Sequence, residues 1–452
     1  MKKSLAIFLS MLTLVFTSCF NDADEAELSP YAILKSFSIG NITSKYPAFT
    51  SDGTDTTTTK TIDGSSYAFS INQVTGEVYN VDSLPYGTNV DKVVVNMELS
   101  GYAQIYVDSI GIYEGFLATD SIDFTHPRKF RITSTDSEYY RDYTISVNAH
   151  QVEPELMEWN CYASVNSLLP QRAIEYNGKL CLFGEKDGKQ VLVMSSLAGE
   201  PYWGNEVALT GLPSSAKLST IQSFGGALYL VAEDGIYTST DASSWDLRYA
   251  CSNAVAIVGA SDIDGKMWVA TEGELLVTAN GADFEGAGSL PAGFPLYGVS
   301  MASYKLNHNS TIVRYMLVGY ADEAMNGAPV VWSRLSTEER WTRYENTNNR
   351  FSCPALKGLT VLRYDDFLYA IGGAGVAQGE SVEAFSELYI SRDNGITWKA
   401  PDDFYQRMPA NLQGNDVPFV ATVDSNNMMW IICAGKNPVV WKGIINRLGF
   451  KD

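Results

Sequence analysis

The feature that most constrains this chain is a hydrophobic strand, closed by a small residue, that recurs six times in its C-terminal two-thirds. The copies are Leu180-Cys181-Leu182-Phe183-Gly184, Leu228-Tyr229-Leu230-Val231-Ala232 and Met267-Trp268-Val269-Ala270, then Met316-Leu317-Val318-Gly319, Leu368-Tyr369-Ala370-Ile371-Gly372 and Met429-Trp430-Ile431-Ile432-Cys433. Each follows a turn such as Asn177-Gly178 or Gly225-Gly226. Each precedes a second strand, from Val191-Leu192-Val193-Met194 in the first copy to Val439-Val440-Trp441 in the last. One such hairpin cannot bury both of its apolar faces, so copies spaced roughly fifty residues apart must stack, as propeller blades of four strands do. The repeat therefore predicts a six-bladed β-propeller over residues 157–452. Trp159-Asn160-Cys161-Tyr162 is the strand available to complete the last blade, and closing the ring removes edges that invite aggregation.

Ahead of the repeat, residues 29–150 carry short alternating runs broken by turn residues. Tyr67-Ala68-Phe69-Ser70-Ile71 and Glu77-Val78-Tyr79 flank Thr75-Gly76 and read as a hairpin. Residues 51–61, rich in Thr and without an apolar side chain, read as a surface loop. Roughly seven strands in about 120 residues fit an Ig-like β-sandwich. Asp123-Phe124-Thr125-His126-Pro127 and the strands at Phe130 and Tyr143 resemble the end of cadherin-like and other bacterial Ig-like surface domains. That resemblance brings no catalytic residue with it. Residues 151–156, with Pro154 between Glu153 and Glu155, are the expected linker, and the fold class is all-β.

The N-terminus carries an address. Met1-Lys2-Lys3 is a basic start, and the apolar run over residues 5–16 is too short to cross a ~30 Å hydrocarbon core. Residues 1–18 thus read as a signal peptide. Val15-Phe16-Thr17-Ser18-Cys19 resembles a bacterial lipobox, with Phe16 where Leu is commoner. The resemblance implies cleavage before Cys19 and lipid attachment there. Residues 19–28 form an acidic tether similar to the export signal of Bacteroidota surface lipoproteins, which implies an outer-membrane lipoprotein at the cell surface, with the periplasmic face as the alternative.

Composition excludes several classes. With 32 Lys and Arg against 52 Asp and Glu, the net charge of −20 lacks the basic footprint that nucleic acid requires. Three His, and the absence of H-E-x-x-H, C-x-x-C or a G-x-x-x-x-G-K-[ST] loop, give no reason to expect a metal or cofactor. Beyond Cys19 the five cysteines suggest no disulfide framework. Asp262-Ile263-Asp264-Gly265 uses residue types that suit calcium, but a turn needs the same types.

Ser391-Arg392-Asp393-Asn394-Gly395-Ile396-Thr397-Trp398 resembles an Asp-box, S-x-D-x-G-x-T-W. A shortened copy runs from Ser239 through Asp241 to Trp245, and an eroded one from Thr278 through Asn280 to Phe284. Ser195 with Trp203 and Ser333 with Trp341 look like copies with longer turns. The expected role is structural: Asp accepts backbone N–H bonds, Gly supplies positive φ, and Trp packs between hairpins. Ser391, Asp393, Gly395, Thr397, Trp398, Asp241 and Trp245 are therefore assigned to the fold, and no catalytic residue is named. Leu368-Tyr369-Ala370-Ile371-Gly372-Gly373 is similar to the strand and double glycine of a Kelch blade.

Asp-box propellers include sialidases, whose chemistry needs clustered arginines, a Tyr–Glu nucleophile and an acid/base Asp. The candidate arginines Arg172, Arg248, Arg314, Arg334 and Arg363 lack that family's motif. Glu185, Asp234, Glu272 and Asp322 each follow a repeated strand and could converge on one face, but in a chain with 52 acids they read as solvated loop carboxylates. With 9 Trp, 26 Tyr and 19 Phe to supply stacking platforms, the leading expectation is a glycan- or envelope-protein-binding module. The alternatives are a glycan-cleaving enzyme and a docking subunit of an envelope complex. The layout as a whole resembles Bacteroidota lipoproteins with an Ig-like domain ahead of a propeller.

Overall fold

The computed structural model describes residues 30–49, 55–345, 348–401 and 405–450, so the segments expected to be a signal peptide and an acidic tether, with Cys19, lie outside the described residues. The chain is all-β and divides into two compact units, Met1–Pro154 and Glu155–Asp452.

In the first unit, Ile33–Ile39, Val93–Ser100 and Ser121–Ile122 form one sheet. A six-stranded sheet orders Phe69–Asn72, Glu77–Asn80, Tyr140–Ser146, Arg128–Thr133, Tyr102–Val107 and Ile112–Gly115. Period-two alternation turns Val93, Val95, Phe130, Ile132, Tyr143 and Ile145 into one core shared by both sheets. The Tyr143 hydroxyl ties the sheets together. It donates to Gln73 Oε1 at 2.8 Å and accepts the Leu34 N–H at 3.1 Å, while the Gln73 amide donates to the Leu34 carbonyl at 2.7 Å. Buried polar atoms are thereby satisfied instead of stranded. The loop expected over residues 51–61 is corrected from Asp55 onward. Asp55–Asp63 is a strand paired with Asn41–Phe49, with Thr43 opposite Thr61 and Lys45 opposite Thr59. Threonine is β-branched and suits an exposed ribbon, so its polarity signalled exposure, not irregular backbone.

The second unit is a series of meandering sheets in which the repeated segments are the second strands. Five sheets have four strands. The fifth in chain order has three, Thr360–Tyr364, Phe367–Ile371 and Tyr389–Ser391, with Lys399 bridging to Ile390 where a fourth would lie. The final sheet takes Phe419–Val423, Met429–Cys433 and Val439–Ile445, then borrows Met157–Ala163 from the start of the unit. That strand pairs antiparallel from Met157 opposite Ile445 to Ala163 opposite Val439.

Neighbouring sheets are glued by shared cores. Phe183 and Trp245 lie between the first and second, Trp268 and Trp332 between the third and fourth, and Met316 and Trp398 between the fourth and fifth. Leu182 and Val193 of the first sheet pack with Trp430 and Val440 of the last. A small sheet that the repeat does not encode, Ala355–Leu356, Gly375–Ala377 and Glu380–Val382, is folded over the fifth. It comes so close that a Cβ on Gly372 would sit 2.3 Å from the Leu356 side chain, which accounts for the glycine there.

Candidate functional site

Four-stranded meanders send their connections to alternate ends. Turns between first and second and between third and fourth strands emerge at one end of the domain. Loops between second and third strands, and the connections between sheets, emerge at the other. The turns that resemble an Asp-box belong to the first end. Asp393 accepts from the Ser391 hydroxyl at 2.9 Å, the Thr397 N–H at 2.8 Å and the Thr397 hydroxyl at 2.7 Å. Gly395 holds φ at 84° and donates its N–H to Ser391 Oγ, while the Trp398 indole donates to the Gly395 carbonyl at 3.1 Å. Met316 and Val331 of the preceding sheet press on Gly395 and share the Trp398 core. Burial opposes ionisation of Asp393, but the bonds from Thr397 and Ser391 outweigh it and hold the carboxyl below its ordinary value.

The shortened copy achieves the same closure with fewer residues. Asp241 accepts from Ser243 N at 2.8 Å and Ser244 N at 2.7 Å, and Ala242 takes the positive φ of 69°. Its Trp245 is buried against Phe183, but the indole N–H finds no acceptor once the turn loses a residue. In the eroded copy Asn280 replaces the acid and still caps the Ala282 and Asp283 amides. The Ser244 amide first, then the Ser243 amide, hold the Asp241 carboxyl at about 2, below its ordinary 3.8, against the opposing effect of burial. A folded-state value below the unfolded one gives stability that is complete above 3.8 and lost as pH falls toward 2. Asp241→Asn keeps the acceptor, so its melting temperature is expected to fall less than that of the wild type between pH 5 and pH 2, measured by circular dichroism, roughly as linkage requires. Parallel acid profiles would refute the assignment.

The opposite end carries two clefts. One, of about 590 Å³, is lined by Tyr320 at the end of Asn309–Tyr320 and Met325 from the loop after it, by Leu356 and Lys357 from the connection into the fifth sheet, and by Val376. The other, of about 340 Å³, lies between the loop after Met429–Cys433 and the connection carrying Asn411 and Asn415. Its lining includes Cys161, Cys433 and Trp441, whose buried indole N–H has no acceptor. Lys357 of the first cleft bridges Asp416, beside the second, at 2.9 Å. Neither lining contains a carboxylate, although the chain carries 52 acids.

Two family models divide the chain along similar lines. Residues 37–147 match the model described as the DUF6242 N-terminal domain, a domain of unknown function, and residues 153–452 match the DUF6242 beta propeller domain. The chain belongs to the DUF6242 family. Its second unit is thereby a β-propeller domain. No curated protein matches the chain. Among solved structures it is similar to the H270A virginiamycin B lyase of Staphylococcus aureus (12% identity, 64% of this chain and 99% of that one, TM-score 0.37). It is also similar to an α-L-arabinofuranosidase of Fusarium graminearum (14% identity, 63% and 98%, TM-score 0.38). A third likeness is to a carbohydrate-active enzyme of family AA12 from Trichoderma reesei (8% identity, 63% and 95%, TM-score 0.37). At these scores none of the three carries an argument about activity or ligand.

The five candidate arginines of the DUF6242 propeller are spread over four sheets. Arg248 donates to the Gly281 carbonyl, Arg314 to the Ser333 hydroxyl and Arg334 to the Glu338 carbonyl. Arg363 donates to the Ser303 carbonyl and pairs with Asp366. Arg172 alone of the five has no such partner among the described residues. Of the acids, Asp234 accepts from Tyr237 in its own sheet at 2.7 Å. Glu272 and Asp322 approach Tyr297, whose phenol is pushed up by burial first and then by Glu323, Asp322 and Glu272. Asp264 is occupied by Ser261 and Tyr315. No group of three or more His, Cys, Asp or Glu among the described residues is placed to hold a metal. Cys161, Cys181, Cys251, Cys353 and Cys433 are unpaired. Cys161, Cys433 and Trp441 were read only as strand residues, and other cleft residues, such as Met325, Lys357, Asn411 and Asn415, went unnamed because they lie in loops outside the repeat. The loops after the second strands were the available signal.

Proposed function

We propose that this DUF6242 protein is a lipid-anchored, cell-surface binding protein of the outer membrane that captures a glycan or an envelope protein on its propeller. In this reading residues 1–18 are removed, Cys19 carries the lipid, residues 19–28 tether an Ig-like sandwich over residues 29–150, and residues 151–156 lead into the propeller. The propeller is a closed ring of six blades. The shared cores between successive sheets, and the one joining the last sheet to the first, support closure. The observation that carries the binding reading is the pair of clefts at one end, remote from the Asp-box turns that serve the fold. Concave, largely apolar linings with amides from Asn326, Asn411 and Asn415 suit a sugar ring, which presents both C–H faces and hydroxyls.

A glycan array probed with the soluble form starting after Cys19 tests this. Selective binding without turnover is the expected result; hydrolysis of a bound glycan would favour the enzymatic alternative, and no binding together with capture of an envelope protein would favour the docking one. For the anchor, Cys19→Ala is expected to shift the protein from the membrane fraction to the soluble fraction. Unchanged fractionation would remove the lipid from the proposal.

A further inference from the structure

Arg172 is the exception among the five candidate arginines, since Arg314, whose Nε is likewise buried without an acceptor, still donates through another nitrogen to Ser333. It lies on Leu169–Tyr176, the first and innermost strand of its sheet, at a β-bulge next to Pro170. Innermost strands pack on one another in chain order, and Phe419–Val423 packs back on Leu169–Tyr176, so these strands wall the centre of the domain. The Arg172 Nε is sealed from solvent without an acceptor. The residue as a whole nonetheless keeps some accessible surface. Burial alone pushes its pKa down to about 10, with no carboxylate near enough to oppose the shift. Only the Nε is both sealed and without an acceptor, so what remains accessible of the guanidinium is open to an incoming ligand. Water reaches such a guanidinium only in part, and an anion would supply the acceptor that its Nε lacks. No acid among the described residues is placed to do so.

The geometry points to Arg172 as the anchor of a site at the centre of the propeller for a small, singly charged carboxylate. The planar guanidinium fork matches two coplanar carboxylate oxygens. A phosphate dianion would leave one charge uncompensated, since no second cation adds to the field at Arg172, and the chain's net charge of −20 adds to that cost. The inference rests on the binding reading above and names its ligand class: a carboxylate-bearing small molecule, of which a uronic acid is the form that fits a glycan ligand.

The test uses the full chain after Cys19 and thermal melting in sodium glucuronate, glucose and inorganic phosphate at matched ionic strength. The expected result is a saturable rise in melting temperature with glucuronate, none with glucose, and loss of the rise in Arg172→Met. Arg172→Lys, which keeps the charge but not the fork, is expected to bind roughly tenfold more weakly or worse. Without ligand, Arg172→Met should melt no lower than wild type, because it removes a charge that the empty protein leaves unpaired. A purely structural arginine makes the opposite prediction. The proposal is overturned by an undiminished glucuronate effect in Arg172→Met, by no effect in the wild type, or by stabilisation with phosphate and not with glucuronate. Loss of folding in both Arg172→Met and Arg172→Gln also overturns it. Glycan binding that survives in Arg172→Met would leave the broader binding reading standing while this site falls.

Discussion

Replacing Trp398 with alanine is expected to cost about 3–5 kcal/mol, the range for emptying a large side chain from a packed core. The side chain is fully buried between the fourth and fifth sheets, beside Met316, Val331 and Tyr389. Its indole also closes the turn on the Gly395 carbonyl. Both sheets lose packing at once, so neither can collapse into the space without pulling away from its other neighbour. Asp393→Ala is expected to cost less, about 1–3 kcal/mol, because it strands donors that water can partly reach. Both losses are read from chemical denaturation midpoints. The folded fraction of each variant should bind whatever the wild type binds, because these turns face away from the clefts. Normal stability with abolished binding would transfer the Asp-box from the fold to the site.

Proline at both Asn160 and Cys161 is expected to open the domain. Adjacent backbone N–H groups of a strand point to opposite sides, so one of the two prolines must fall on the side bonded to Val439–Ile445. The loss is expected to reach about 3 kcal/mol or more, since proline inside a paired strand removes a donor and clashes. Release of Met157–Ala163 would also bare the edge of Val439–Ile445, a ready template for another chain. Lower melting together with oligomers in size-exclusion chromatography is the expected result. A monomer with unchanged melting would show that the strand is dispensable and that the propeller does not depend on it for closure.

Much of this molecule was legible because its signals are local. The six repeated strands announce themselves by an apolar run, a turn before it and a small residue after it, and all six are second strands of their sheets. The Asp-box is equally local: Ser391, Asp393 and Thr397 bond within one turn, so spacing alone specifies their geometry. Where polarity stood in for conformation the reading slipped, as at Asp55–Asp63, whose threonines form an exposed strand instead of a loop. The small sheet over Gly372 escaped notice because its strands are short and come from two separate segments.

Sequence alone thus determined the class of fold, the recurring strands and the chemistry of the turns, since each depends on residues within one hairpin of one another. Tertiary structure decided which residues meet across sheets. Nothing in the string around Arg172 distinguishes it from Arg363, yet the Nε of one is buried without an acceptor while the other is paired with Asp366 and stacked on Tyr304. The clefts arise in the same way, from loops far apart in the chain that carry no pattern of their own. The physical reason is common to both cases. Burial and charge compensation are sums over everything that surrounds a group, and most of that surrounding is supplied by segments that only folding brings near.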